Sequence, residues 1–125
     1  GLELGENARA AILTRGLAET AKLAKGLGGQ TETVFGLAGA GDMALSSLSM
    51  TSRNFSWGFS LAKKQPFDDK LTEGLNSSKM AIKIAKKIKI EMPITELVSK
   101  ADNKNFDLQT EVQNIMKRPP KLEWL

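Results

Sequence analysis

Thr33-Val34-Phe35-Gly36-Leu37-Ala38-Gly39-Ala40-Gly41-Asp42-Met43-Ala44 admits two readings, and they lead to different folds. Within it, Gly39-Ala40-Gly41-Asp42-Met43-Ala44 fits the loose dinucleotide pattern with alanine in the last place. That pattern works only where a strand leads into it, a βαβ unit surrounds it and an acidic residue comes about 20 positions later. The pyrophosphate must rest on a helix N-terminus at a strand end. Thr33-Val34-Phe35 is a poor strand, no parallel partner comes after it, and the rest of the sequence has a helical period. The other reading fits better: glycines and alanines that let a helix pack tightly, or let backbone come close to a site. It predicts a buried helix from Gly36 to about Leu48, with Met43, Leu45 and Leu48 as its larger apolar side chains.

The flanking sequence agrees. Leu13, Leu17, Ala21, Ala24 and Leu27 recur at three- and four-residue steps with Arg15, Glu19, Lys22 and Lys25 between them, which predicts an amphipathic helix over 8–26. Asn7 can cap its start, and Gly28-Gly29 supplies the left-handed conformation that helix ends favour. Thr31 to Val34, short and rich in β-branched residues, reads as a connector. Downstream, residues 49–52 form a loop with capping hydroxyls, and Phe55, Phe59 and Leu61 predict a helix from Arg53 to Lys64 that Pro66 ends. Phe67 to Leu71 is a charged loop and Thr72-Glu73-Gly74 opens the next segment. Ser77 and Ser78 can start a helix to Lys89, with Ala81, Ile84, Ala85 and Ile88 on one face. The alternation Lys87-Ile88-Lys89-Ile90 would also suit a short strand, but the helical period runs into it.

Pro93 fits the first turn of a helix carrying Ile94, Leu97, Val98 and Ala101, because its missing amide hydrogen would be unpaired there anyway. Asp107 precedes a last helix built on Leu108, Val112, Ile115 and Met116, which Arg118-Pro119-Pro120 stops. There is no internal repeat and no low-complexity tail. The sum is an all-α fold: residues 1–125 as one domain of five to six helices.

Composition narrows the chemistry. With 125 residues and 41% hydrophobic content the chain can bury one core. No run approaches the roughly 18 uncharged apolar residues that span a bilayer, and Gly1-Leu2-Glu3-Leu4-Gly5 lacks the flanks of a signal peptide. A cytoplasmic location without membrane insertion is the expectation. The sequence has no Cys, His or Tyr, so disulfides, thiolate metal sites, thiol nucleophiles and imidazole or phenolic acid–base groups are excluded and no metal is expected. Any proton transfer here falls to Asp, Glu or Lys.

A net charge of +4 raises nucleic acid as a partner. Lysines at 79, 83, 86, 87 and 89 surround one helix, and a further one stands at 100. A solvated helix face accounts for them. Against a groove binder, none of the five Phe and two Trp is interleaved with that cluster as a stacking platform requires.

Two places remain for function. Asp42 sits among Leu37, Ala38, Met43, Ala44 and Leu45, where an unpaired carboxylate is costly, so it needs a partner. A helix cap, an ion pair with Arg9, Arg15 or Arg53, and a catalytic or ligand role all satisfy that need. Ser46, Ser47 and Ser49 can bond back to their own helix. Ser52-Arg53-Asn54 reads either as a capped helix start with a solvated arginine or as an anion site. In the second case amide hydrogens, a hydroxyl, a carboxamide and a forked guanidinium face phosphate oxygens. A phosphorylated small molecule is the first ligand to consider.

Several spaced matches then occur in order. They are Gly5-Glu6-Asn7-Ala8-Arg9-Ala10-Ala11-Ile12-Leu13-Thr14-Arg15-Gly16-Leu17-Ala18-Glu19, Gly36 to Asp42, Ser52-Arg53-Asn54, Glu73-Gly74, Met92-Pro93-Ile94-Thr95-Glu96 and Arg118-Pro119-Pro120. With them the chain closely resembles the substrate domain of bacterial NAD(P)-dependent glycerol-3-phosphate dehydrogenases. The resemblance implies a helical C-terminal domain preceded in the whole enzyme by a Rossmann domain that binds NAD or NADP. It implies hydride transfer between dihydroxyacetone phosphate and sn-glycerol 3-phosphate, feeding glycerophospholipid synthesis.

By position, Asp42 resembles the aspartate beside the reacting hydroxyl, and Ser46 a hydroxyl position often held by threonine. Ser52, Arg53 and Asn54 resemble the substrate-phosphate group, with Arg53 also facing the cofactor. Leu71 and Glu73 resemble positions that touch the dinucleotide on domain closure. Two departures stand out: Phe55-Ser56-Trp57 comes after Arg53-Asn54 where further basic residues are usual, and the loop between Asn54 and Glu73 is short. The family's proton-donating lysine, in a Lys-Asn pair, lies upstream of Gly1 by the resemblance; no Lys-Asn precedes Asn7 here, and Lys104-Asn105 is too far downstream. The chain by itself is therefore expected to be inactive, and a homodimer is compatible with the resemblance. The alternatives are a basic helical nucleic-acid module and a protein-interaction module.

Overall fold

The computed structural model describes residues 1–66 and 73–119, and among them every regular element is helical. In chain order these are α1 Glu6–Gly26, α2 Thr31–Phe35, a π-helical turn Leu37–Gly41 running directly into α3 Asp42–Leu48, α4 Arg53–Ala62, α5 Glu73–Lys87, α6 Pro93–Ser99 and α7 Leu108–Met116. The all-α expectation holds. The element that sequence did not predict is α2, where a connector was expected. Its β-branched residues fold as one helical turn because Val34 is buried where α2 packs on α1, and burial outweighs a weak local preference.

Helix ends obey local chemistry more closely than helix starts. α1 begins one residue before Asn7, with Gly5 at the cap position, so Asn7 lies inside the helix and does not cap it. Its end is as expected. Gly28 adopts φ +87°, its amide donates to the Lys25 carbonyl (3.0 Å), and Gly29 donates to Ala24 (2.8 Å), satisfying two terminal carbonyls. The same closure recurs after α4 and α5 with lysine in the left-handed place, at Lys64 (φ 55°) and Lys89 (φ 58°). The next amides along the chain bond back to Ser60 and Ala85, each at 2.9 Å. α4 therefore stops at Ala62 rather than Lys64, α5 opens at Glu73 ahead of Ser77, and the Lys87–Ile90 alternation leaves the helix through a turn.

The core is built from small and medium side chains: Ala18 and Ala21 of α1, Leu75 and Ala85 of α5, Met92, Ala101, and Val112 and Ile115 of α7. Two polar clasps from α1 hold its neighbours. Pro93 has no amide hydrogen, and Met92 caps nothing with its side chain, so α6 starts with the Ile94 and Thr95 amides unpaired within the helix. Glu19, only 5% exposed, supplies the missing acceptor from across the interface. Its Oε1 accepts from the Ile94 amide at 2.6 Å, and its Oε2 accepts from the Thr95 amide at 3.0 Å and hydroxyl at 2.8 Å. One turn earlier, Arg15 donates to the Ile115 carbonyl (2.9 Å) and the Arg118 carbonyl (3.1 Å) at the end of α7. A carboxylate thus meets a helix N-terminus and a guanidinium a helix C-terminus, the arrangement each dipole end favours.

Burial pushes the Glu19 carboxyl above the usual carboxylate range, and the bonds from Ile94 and Thr95 only partly pull it back. In Glu19→Gln an NH2 group must face one of these donors, so thermal unfolding is expected to show a loss of about 1–3 kcal/mol. The sign with pH comes from the raised value. Glu19 contributes its full proton-linked stability below its unfolded pKa, and loses it as pH rises through the folded value. The stability gap between parent and Glu19→Gln should therefore widen as pH falls from 7 toward the ordinary Glu value of 4.5; a gap that narrows would contradict it.

Candidate substrate site

The glycine-rich stretch is a turn that re-aims the chain. Gly36 is extended (φ −85°, ψ −169°) and separates α2 from the π turn. The Gly36 carbonyl then accepts from the Gly39 amide at 3.2 Å and the Gly41 amide at 3.4 Å, the second bond closing a wide π turn. Gly39 rests on the backbone of α2: a Cβ there would run into the Val34 carbonyl. Glycine is needed for close approach, as the second sequence reading held, and no strand or βαβ unit surrounds it among the described residues.

Burial differs from the expectation. Residues 37–48 are helical, but Leu37 is 93% exposed, Leu45 69% and Leu48 64%, with Met50 beside them at 57%. Asp42 opens α3 at an exposed position and makes no ion pair with Arg9, Arg15 or Arg53 among the described residues. The predicted pairing presumed an apolar enclosure; at the surface, water meets the carboxylate and no partner is required. Arg15 is engaged at the end of α7.

Most hydroxyls here serve the backbone. Ser47 donates to Met43, and Ser56 donates to the Met50 carbonyl, each at 2.6 Å, while Ser49 and Thr51 share a bond of 2.7 Å. Ser52 is the cap of α4, its Oγ accepting from the Phe55 amide at 3.4 Å. Arg53 and Asn54 come next, in the first turn of α4, exposed, and α4 packs against α3, which carries Asp42. The Asn54 carboxamide lies over Gly74, in the first turn of α5. Two helix starts distant in sequence, Ser52-Arg53-Asn54 and Glu73-Gly74, thereby adjoin. Leu71 lies outside the described residues.

Sequence reasoning missed the roles of Arg15 and Glu19. Their signal was present: opposite charges four apart stand on one face of α1, where an ion pair within the helix would be the ordinary outcome. On the other side, Lys83, Lys86, Lys87 and Lys89 are exposed, and Lys79 bonds Asp102 at 2.5 Å. That bond is the main reason the Asp102 carboxyl lies below its usual range. Among the described residues no His, Cys, Asp or Glu cluster could hold a metal, and no helix is long and apolar enough to cross a membrane.

The described residues thus form a bundle of helices whose glycine turn presents an aspartate, with a helix start carrying serine, arginine and asparagine on the helix packed against it. Residues 1–113 match the family described as NAD-dependent glycerol-3-phosphate dehydrogenase C-terminus, and the chain belongs to that family. It is 40% identical over 98% of its length to a glycerol-3-phosphate dehydrogenase [NAD(P)+] of Rhodospirillum rubrum, and 37% identical over 98% to one of Lactococcus lactis. The crystal structure of the Coxiella burnetii glycerol-3-phosphate dehydrogenase superposes with a TM-score of 0.82 at 38% identity, over 94% of this chain. The chain spans 37–38% of the length of these relatives. Neither the family nor the relatives support a nucleic-acid module.

The turn yields its own test. Gly39→Ala places a methyl against the rigid Val34 backbone, so unfolding should show a loss of about 1–3 kcal/mol. Gly36→Ala, whose Cβ would stay at 3.4 Å or more from its neighbours, should lose less.

Proposed function

We propose that this chain is the substrate-binding domain of an NAD(P)-dependent glycerol-3-phosphate dehydrogenase. The complete enzyme would interconvert dihydroxyacetone phosphate and sn-glycerol 3-phosphate in the cytoplasm, for glycerophospholipid synthesis. The observation that supports this best is the meeting of the α4 start, Ser52-Arg53-Asn54, with Glu73-Gly74 at the α5 start, in a chain of this family.

In this reading Arg53 holds the substrate phosphate through its forked donors, and Asn54 adds an amide donor beside it. Ser52 fixes the helix start from which both project. Asp42 orients the substrate's reacting hydroxyl and the lysine that gives the carbonyl oxygen its proton, a residue that the family carries upstream of Gly1. The nicotinamide, held mainly by the preceding Rossmann domain, supplies the hydride when bound. The exposed Arg53 guanidinium and Glu73 carboxylate have the chemistry to meet its phosphate and ribose hydroxyls, with Leu71 nearby in sequence. Holding a three-carbon substrate at its phosphate end turns an encounter into a fixed geometry at the carbonyl carbon. In this reading catalysis requires the preceding domain and this one together. The preceding domain is also the occupant proposed for the exposed apolar side chains Leu37, Leu45, Leu48 and Met50, because more than half the length of the relatives lies outside the matched portion. A homodimer of the complete enzyme is compatible with this arrangement.

In the full-length enzyme Arg53→Ala should raise the KM for dihydroxyacetone phosphate by about tenfold or more, the loss of a charge-assisted bond. An unchanged KM would remove Arg53 from the phosphate site. Asp42→Asn should act mainly on kcat, lowering it by about a hundredfold, and near-parental turnover in steady-state assays would count against its orienting role.

A further inference from the structure

We infer that Gly74 is a positioning residue for the substrate phosphate: the missing side chain at this place lets the Asn54 carboxamide occupy its site. The inference rests on Ser52-Arg53-Asn54 being the phosphate group of the site. A Cβ built on Gly74 would collide with Asn54 Oδ1, and the next nearest atoms are Asn54 Cγ at 3.1 Å and Nδ2 at 3.7 Å. All three belong to one side chain. The Gly74 backbone is in ordinary helical territory, since the positive-φ glycines are Gly5 and Gly28. Its conformation therefore does not call for glycine.

The contrast with Gly39 sharpens the point. There the obstacle is main chain and cannot move. At Gly74 it is the end of a mobile side chain, which would swing aside and leave the fold intact. Glycine in the first turn of a 15-residue helix also weakens that helix relative to alanine. Local stability thus favours alanine, and what glycine provides is room for Asn54. With Oδ1 turned toward Gly74, Nδ2 is left as a donor, and Asn54 makes no side-chain hydrogen bond among the described residues. The contact also couples the phosphate group to Glu73, the neighbouring residue assigned to the cofactor side.

The experiment uses the full-length enzyme and compares Gly74→Ala, Asn54→Ala and the double variant by thermal unfolding and steady-state kinetics. Gly74→Ala should unfold at the parental temperature or above while its KM for dihydroxyacetone phosphate rises about three- to tenfold. The KM for the reduced nicotinamide should move less. The double variant should be no worse than Asn54→Ala, because Gly74 acts through Asn54. A parental KM in Gly74→Ala, a lowered unfolding temperature, or effects that add in the double variant would each overturn the inference while leaving the phosphate reading in place. A parental KM in Asn54→Ala would overturn that reading itself.

Discussion

The buried Glu19 carboxylate is the constraint on which the rest of the domain hangs. α6 begins at a proline and has no side-chain cap of its own, so its first free amides must be met from outside. α1 meets them with Glu19 and, one turn away, closes the carbonyl end of α7 with Arg15. Each contact satisfies backbone groups that would otherwise be unpaired, and each has the charge that the helix end prefers. Because the surrounding core is largely alanine and medium aliphatic side chains, with little area per residue to remove from water, directional contacts of this kind weigh heavily. They also fix the angle at which α1 meets α6 and α7, which apolar packing alone would leave looser.

Glycine does two different things beside the candidate site. At Gly39 it lets a π turn settle on the main chain of α2, which sets where α3 and its leading Asp42 begin. At Gly74 the neighbour is a side chain with its own chemistry, and the space serves Asn54 rather than the path of the backbone. The first shapes the fold and the second shapes the proposed ligand site.

Stability and proposed chemistry are carried by separate residues. The buried polar groups, Glu19 and Ser78, are both fully occupied with backbone or side-chain partners inside the bundle. Asp42, Arg53, Asn54 and Glu73 are exposed at helix starts. Leu37, Leu45 and Leu48, on the π turn and on the helix that Asp42 opens, are exposed as well.

Much of what depended on neighbours in the chain was legible in the sequence, although α1 starts at Glu6 rather than after an Asn7 cap and α5 at Glu73 rather than at Ser77. The periods of α1, α4, α5, α6 and α7, the left-handed stop at Gly28, Pro93 in a first turn and Ser52 as a cap are local matters of backbone geometry and 3.6-residue spacing. The spaced matches around Asp42 and Arg53 carried the family, because ordered residues survive in the chain whether or not their contacts can be foreseen. What only the tertiary structure decided was partnership across distance. Thr31–Phe35 is helical because packing buries Val34, Leu37 to Leu48 is a helix whose leucines are exposed, and Glu19 bonds α6 instead of a lysine on its own helix. Asn54 finds Gly74 for the same reason: which groups end up adjacent is set by how the helices pack, and periodicity within one helix carries no information about the orientation of the next.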